Sequence, residues 1–144
     1  MDEIKFGMSA PMPGADLEGI VSFAARCDSL GFDSIWIPDH LVFVAPTTAY
    51  EAWTVGAIAA DKTQAIHIGS VSDPHRMHPA VFAQRLATVD HISRGRVKVA
   101  LGVGESMNLD PYGISWSRPL ARLREAMDVM KTLWRSKEPQ DYRG

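Results

Sequence analysis

The residues best suited to proton transfer stand directly after a short apolar segment. Asp39 and His40 follow 34-SIWIP-38, whose β-branched and aromatic residues are typical of a strand. Histidine exchanges protons readily near neutral pH, so His40 could act as a general acid or base. The same spacing equally fits a helix cap at Asp39 beside an exposed His40. The pair alone therefore leaves a catalytic and a structural interpretation open.

A second candidate is the glycine turn that contains Gly102, Gly104 and Glu105. It opens the segment 102-GVGESMN-108, directly after the apolar run 97-VKVAL-101. Backbone N–H groups of a glycine turn can bind a phosphate, but a glutamate in such a turn is unexpected because it repels anions. The segment is neither GxGxxG nor a Walker loop, since no Gly-Lys-Ser/Thr follows. Alone, it predicts a ligand site only weakly, and Glu105 could simply be exposed.

A third candidate is 69-GSVSDP-74, where small residues would let a planar ligand approach the backbone. The alternative is a plain turn at Asp73-Pro74. Nearby, Arg76 could bind a phosphate or a carboxylate. His75 and His78 are a weak metal signal because no spaced carboxylate completes a ligand set, so no metal site is predicted. His78 is better placed as a helix cap.

Behind these residues lies a regular alternation of strands and helices. Strands are predicted at 4–9, 34–38, 65–72 and 96–103, and helices at 51–60, 80–93 and 118–134, together with a helix that Asp16 caps and Gly31 ends. Ser117 is expected to cap the last helix, with inward-facing Leu120, Leu123, Met127 and Met130. The tryptophans, His67, His91 and Cys27 are interpreted as structural residues.

This order implies a parallel sheet, either an open doubly wound sheet or a barrel. In both architectures ligands bind beyond the carboxyl ends of the strands. The loops that follow the strands should therefore converge, and with them the three candidate segments. An open-sheet nucleotide-binding domain is disfavoured because 9-SAPMPGAD-16 carries no glycine fingerprint after the first strand.

Composition excludes several classes of protein. The 144 residues suit one domain, and 15 Lys and Arg against 17 Asp and Glu give a net charge of −2, which does not favour binding to nucleic acid or a membrane surface. A single cysteine, Cys27, excludes an internal disulfide and favours a reducing compartment. The chain shows neither a signal peptide nor an apolar run long enough for a membrane span. A cytoplasmic protein is expected.

Taken together, four segments resemble the luciferase-like family of flavin and deazaflavin enzymes. They are most similar to its coenzyme F420-dependent branch, which includes enzymes like methylenetetrahydromethanopterin reductase and F420-dependent glucose-6-phosphate dehydrogenase. The segments are 36-WIPDHL-41, 69-GSVSDPHRMHPAVFAQ-84, 88-TVDHISRGRVKVALGVGESMN-108 and 122-RLREAMDVMKTLW-134.

The resemblance implies an α/β fold, the first half of a luciferase-like (β/α)₈ TIM barrel. Such a barrel needs roughly 250 residues. Residues 1–144 would then form a single partial barrel domain of four βα units, and the full protein is expected to continue beyond residue 144.

The resemblance also implies roles for individual residues. His40 and Glu105 would be catalytic and would handle protons. The coenzyme would be contacted by Asp39, Ser70, Val71, Ser72, Gly102, Gly104 and Asn108. A non-prolyl cis peptide is expected at Ser70-Val71, as a bulge against which the deazaflavin bends; such a bond costs about 3–4 kcal/mol.

The function implied is hydride transfer between a small organic substrate and coenzyme F420. Val44 stands where the sugar-phosphate dehydrogenases of the family carry a tryptophan, which weakens any assignment of glucose 6-phosphate as substrate. One alternative is an FMN-dependent monooxygenase of the same family; another is a non-catalytic half-barrel. A homodimer is the expected assembly.

Overall fold

A computed structural model describes residues 4–12, 14–42 and 49–142 of the chain. Within them, four parallel strands form one sheet in the order β1-β2-β3-β4, which confirms the predicted parallel sheet. The strands are β1 (Gly7–Ser9), β2 (Ser34–Pro38), β3 (His67–Ser72) and β4 (Val97–Leu101). The helices are α1 (Leu17–Ser29), α2 (Ala52–Lys62), α3 (Pro79–Ser93), α4 (Ser106–Leu109) and α5 (Pro119–Arg135).

The first and third helices begin and end where their capping residues predict. The Asp16 carboxylate accepts a hydrogen bond from Gly19 N at the start of α1, and Gly31 follows the helix with a φ of +78°. His78 Nδ1 accepts from Ala80 N at 3.2 Å, so His78 caps α3 as predicted. Pro79 occupies the first position of α3, where its missing N–H costs no hydrogen bond.

The last helix begins differently from its prediction. Its N-cap position is occupied by Arg118 in the left-handed region, at φ 43° and ψ 51°, and not by Ser117. Pro119 then fixes the first helical position, which places the start of α5 one residue later than a serine cap would. Leu120 is exposed rather than inward-facing, whereas Leu123 and Met130 are buried as predicted.

Three strands are shorter than predicted. β1 starts at Gly7 rather than at residue 4, β3 starts at His67 rather than at residue 65, and β4 ends at Leu101 rather than at residue 103. After β4 the chain forms the four-residue helix α4, which no sequence signal predicted. Of the predicted loop 39–50, residues 43–48 lie outside the described part of the chain, and Val44 with them.

The two faces of the sheet have different surroundings. Successive side chains of a strand point to opposite faces of the sheet. On one face, Ile35, Ile37 and Ile68 point into a core shared with α1 and α2. Strand register aligns Trp36, Gly69 and Lys98 in one row on the opposite face, which the helices do not cover. Among the described residues, no helix has the length and apolar character needed to cross a membrane.

The amino-terminal end of the sheet is tied together by two charged side chains. The Asp28 carboxylate accepts hydrogen bonds of 2.6 to 3.0 Å from three consecutive backbone N–H groups, those of residues 64–66. The Arg96 guanidinium donates to the carbonyls of Ala60, Thr63, Ile66 and Ser93. These contacts fix the turn before β3 and the carboxyl ends of α2 and α3, far along the strands from the loops that could bind a ligand.

Candidate active site

A cleft of about 420 Å³ opens at the carboxyl ends of the four strands, as the parallel topology predicts. It contains all but one of the predicted site residues: Asp39, His40, Val71, Ser72, Gly102, Gly104, Glu105 and Asn108. Ser70 does not line it. Residues far apart in the sequence are therefore brought to one surface.

The polar wall of the cleft is formed by His40, Asn108 and Glu105. Asn108 Nδ2 lies 3.0 Å from Glu105 Oε2 and 3.4 Å from His40 Nδ1, and the two ionisable groups are themselves 3.8 Å apart. The side chains of His40 and Glu105 are 39% and 55% exposed, whereas Asn108 is only 4% exposed. Two ionisable side chains that a ligand can reach are thus held beside a buried amide.

The position of this amide depends on a glycine turn and a short helix. Gly104 has a φ of +72°, a conformation that other residues rarely adopt. A Cβ at this position would also lie 3.1 Å from Cγ of Asp73. The turn leads into α4, whose Asn108 N–H donates to Glu105 O at 2.9 Å. Gly104 therefore sets the direction in which Glu105 and Asn108 leave the strand.

Arg76 binds carboxylates, as its side chain suggests, but they belong to the protein itself. One guanidinium nitrogen lies 2.6 Å from Asp39 Oδ1, and Nε donates to Asp73 Oδ2 at 2.9 Å. Burial lowers the pKa of Arg76, but the hydrogen bond and charge of Asp39 and the contribution of Asp73 outweigh it, so the net shift is upward. Arg76 therefore links the loop after β2 to the loop after β3. The Asp39 carboxylate is already bound by this guanidinium.

The side chains at the end of β3 alternate between core and cleft. Ser72 Oγ accepts from Trp53 Nε1 at 2.9 Å and lies 3.3 Å from Ser70 Oγ, so both serine side chains face the helices. Val71, between them, is 58% exposed on the cleft side. The strand pairs residue for residue with both neighbours here, so no extra residue forms a bulge. The cis peptide at Ser70-Val71 stays a prediction.

Trp36 is a cleft residue that the sequence did not reveal as one. It packs, as predicted, but it does so on the floor of the cleft, where a Cβ added to Gly69 would lie 2.8 Å from its Cε3. A Cβ on Gly7 would lie 3.1 Å from Nε1, and that nitrogen donates to Ser34 Oγ at 3.0 Å. The available signal was the period-two spacing from Trp36 to Pro38, which puts both on one face.

The histidines outside this wall do not form a metal site in the described residues, where no group of three potential His, Cys, Asp or Glu ligands occurs. His78 serves as a helix cap. His75 is buried, and its Nε2 has no hydrogen-bond partner. Burial, together with the nearby positive charge of Arg122, lowers the pKa of His75 and so favours its neutral form.

Residues 4–144 of the chain match the family model of the luciferase-like monooxygenases. Among curated proteins, the chain is 34% identical over 136 residues to the phthiodiolone/phenolphthiodiolone dimycocerosates ketoreductase of Mycobacterium tuberculosis (strain ATCC 25618 / H37Rv). That alignment covers 80% of this chain and 36% of the ketoreductase. The chain is also 32% identical over 137 residues to the 5,10-methylenetetrahydromethanopterin reductase of Archaeoglobus fulgidus, covering 93% of this chain and 39% of the reductase.

A solved structure gives the same picture. The chain superposes with a TM-score of 0.91 and 31% identity on an F420-dependent secondary alcohol dehydrogenase in complex with an F420-acetone adduct. The match covers 99% of this chain and 46% of that chain. The structural neighbours are luciferase-like (β/α)₈ barrels, so the predicted half-barrel architecture is confirmed, and the chain corresponds to their amino-terminal portion.

Proposed function

This chain belongs to the luciferase-like monooxygenase family, and from that membership we propose that it takes part in hydride transfer between coenzyme F420 and a small ketone or secondary alcohol. The chain spans less than half the length of the curated relatives it matches. The activity is therefore proposed for the protein that contains this half-barrel. The names of the ketoreductase and of the alcohol dehydrogenase support the choice of a carbonyl–alcohol pair.

The observation that carries this proposal is the wall of His40, Asn108 and Glu105 beside the apolar cleft floor. Reduction of a ketone adds a hydride to the carbonyl carbon and requires one proton at the carbonyl oxygen; oxidation of the alcohol reverses both transfers. A histidine with a carboxylate 3.8 Å away can deliver or remove that proton and be restored by its neighbour. His40 and Glu105 are the proposed catalytic residues, and Asn108 holds them in place.

The cleft fits a planar heteroaromatic coenzyme. Its floor is apolar, formed by Trp36, Pro38 and Val71. Its volume lies in the range of about 300–1,000 Å³ that is usual for small-molecule sites. A Cβ built on Gly102 would meet no atom within 4 Å, so the backbone there is open to close approach by a ligand. When bound, the deazaflavin would supply or accept the hydride.

The backbone at Gly102 and Gly104 and the exposed Val71 are the proposed coenzyme contacts. Asp39, Ser70, Ser72 and Asn108 were also predicted to contact the coenzyme. Their side chains are engaged within the protein, so we propose that they shape the site and do not bind through their side chains. This division assigns coenzyme binding to backbone and apolar surface, and proton handling to the two exposed ionisable groups.

The test is a titration of the protein with oxidised F420 and, in parallel, with FMN, followed by absorbance. Gly102→Ala should weaken F420 binding by at least about tenfold, corresponding to 1.4 kcal/mol, because its methyl group would occupy the ligand's position. Its urea unfolding midpoint should stay unchanged, since the added methyl meets no protein atom. This combination separates a bound ligand from a damaged fold.

Turnover completes the test. With reduced F420 and acetone, His40→Ala and Glu105→Gln should each lower kcat by roughly 10²-fold, the usual contribution of a positioned acid or base, while F420 affinity changes little. Binding of FMN without F420 would favour the monooxygenase alternative. A folded protein that binds neither coenzyme would support the non-catalytic half-barrel instead.

A further inference from the structure

The loop that follows β2 depends on side chains for its position. Pro38, the last residue of β2, has no N–H group, so it cannot donate to the backbone of a neighbouring strand. Between β3 and β4 the backbone itself supplies the attachment, because Gly102 N donates to Ser72 O at 2.9 Å. Side chains therefore take a larger share in fixing the loop after β2.

Arg76 attaches this loop to both of its neighbours. Its Nη2 lies 2.6 Å from Asp39 Oδ1 and 3.3 Å from Asp39 O, so the side chain and the backbone of Asp39 are both held. Its Nε donates to Asp73 Oδ2 at 2.9 Å. Asp73 in turn lies against the glycine turn, since a Cβ built on Gly104 would be 3.1 Å from its Cγ. One guanidinium thus connects the loops after β2, β3 and β4.

Two of these loops carry the proposed catalytic residues. His40 directly follows Asp39, and Glu105 directly follows Gly104. We infer that Arg76 is a positioning residue for the proposed reaction: its planar guanidinium sets the distance between the loop that carries His40 and the turn that leads into Glu105. Arg76 does not line the cleft and is held by two carboxylates, so it acts through the loops. The inference rests on the proposed function, whereas the spacing of the loops is a property of the free protein.

One hydrogen bond reports on this spacing. Val42 N donates to Asn108 Oδ1 at 3.0 Å, which joins the loop after β2 to the helix α4 that follows the glycine turn. A shift of either loop by about 1 Å would stretch the bond beyond the usual range of about 2.7–3.2 Å. The rate at which the Val42 amide hydrogen exchanges with solvent therefore measures whether the loops keep their distance, and no coenzyme is needed.

The experiment follows amide hydrogen exchange by NMR in the full chain, in the wild type and in a triple variant that joins Arg76→Met to Asp39→Asn and Asp73→Asn. Because the charges are removed together, the urea unfolding midpoint of the triple variant should stay near the wild-type value. Exchange at Val42 should become at least about tenfold faster, while the amides of α1 keep their rates. Arg76→Lys keeps the charge but not the planar fork and should show a smaller increase. Wild-type exchange at Val42 in both variants would overturn the inference.

Arg85→Met is the matched control. Arg85 Nη1 lies 2.8 Å from Glu51 Oε1, and neither of these residues lines the cleft. This variant also removes an arginine from an ion pair, but the exchange rate at Val42 and the turnover should stay at their wild-type values. Faster exchange at Val42 in Arg85→Met would overturn the assignment, because the effect would then not be specific to Arg76.

Turnover of acetone with reduced F420 is measured beside the exchange. The triple variant should lower kcat by roughly 10–10²-fold and keep F420 affinity within about threefold, because misplacement of a reacting group slows the reaction more than it weakens binding. Faster exchange at Val42 with a wild-type kcat would refute the role in the reaction. A wild type without F420 binding or turnover would instead refute the proposed function, and exchange at Val42 would still show whether Arg76 sets the spacing. The two failures are therefore distinguishable.

Discussion

Replacement of Arg76 by methionine should be among the most damaging single changes near the cleft. The side chains of Asp39, Arg76 and Asp73 are 6%, 13% and 9% exposed, so Arg76→Met would leave two buried carboxylates without their shared cation. Breaking a buried ion pair by removing one partner costs about 3–5 kcal/mol. With a urea m-value of roughly 2 kcal/mol/M, the unfolding midpoint should fall by about 1.5–2.5 M.

Equilibrium urea unfolding, followed by far-UV circular dichroism, measures this loss. The control is a triple variant in which Arg76→Met is joined by Asp39→Asn and Asp73→Asn. Neutral groups of similar shape need no cation, so the triple variant should recover to within about 1 kcal/mol of the wild type. Arg76→Lys should fall between the two, because lysine keeps the charge but not the planar fork that reaches both carboxylates.

If Arg76→Met lowers the free energy of unfolding by less than about 1 kcal/mol, the ion pairs contribute no more than exposed ones do. Such a result would show that solvent screens these charges in spite of their burial. A triple variant as unstable as Arg76→Met would contradict the electrostatic reasoning in another way. It would mean that the shape of the guanidinium, and not its charge, holds the loops together.

Three further outcomes follow from the contacts described above. Asp28→Ala should cost about 1.5 kcal/mol at pH 7 by calorimetry, since three N–H groups lose a charged acceptor. Although burial raises the pKa of Asp28, the backbone N–H groups and Arg96 lower it overall, so this stability is present above about pH 3.9 and lost as pH falls further; a penalty that persists at pH 2 would contradict the assignment. His75, whose pKa is lowered by burial and by Arg122, should destabilise the fold as pH falls below about 6.5, because the unfolded chain takes up the proton first. His75→Gln should flatten that part of the stability–pH curve, and an unaltered slope would argue against it. Gly104→Ala should lower stability by roughly 1–2 kcal/mol in urea unfolding, whereas a wild-type midpoint would show that the turn tolerates a side chain.

Local signals in the sequence predicted local structure well. Asp16 and His78 each accept a hydrogen bond from a backbone N–H no more than three residues away, and Gly31 directly follows the end of α1. These helix ends could therefore be inferred from residue type alone. The predicted start of α5 was wrong because two helix-start signals lie close together there. The proline at position 119 sets the start of the helix, and Ser117 does not cap it. The convergence of the loops after the strands followed from parallel topology and needed no side-chain detail.

Contacts between distant residues could not be inferred in this way. Arg76 and Asp39 are 37 positions apart, and Asn108 and Val42 are 66 apart, so no spacing rule connects either pair. The side chain of Arg76 was considered able to bind a phosphate or a carboxylate, and in the structure it binds the protein's own carboxylates, those of Asp39 and Asp73. Asn108 was expected to contact the coenzyme, and its side chain is buried. That burial depends on the turn at Gly104 and on α4, and a helix of four residues is too short to show a periodic pattern in the sequence.

The indole on the cleft floor makes the order of evolutionary change matter. Trp36 lies against the Cβ positions of Gly69 and Gly7, so while the tryptophan is present a side chain at Gly69 collides with its ring. Once Trp36 is replaced by a smaller residue, the same substitution at Gly69 has space. Pairwise scanning of these positions should therefore show sign epistasis, with Gly69→Ala harmful in the parent and tolerated in Trp36→Val. A lineage that acquires a deeper or differently shaped cleft must lose the tryptophan before Gly69 is free to vary.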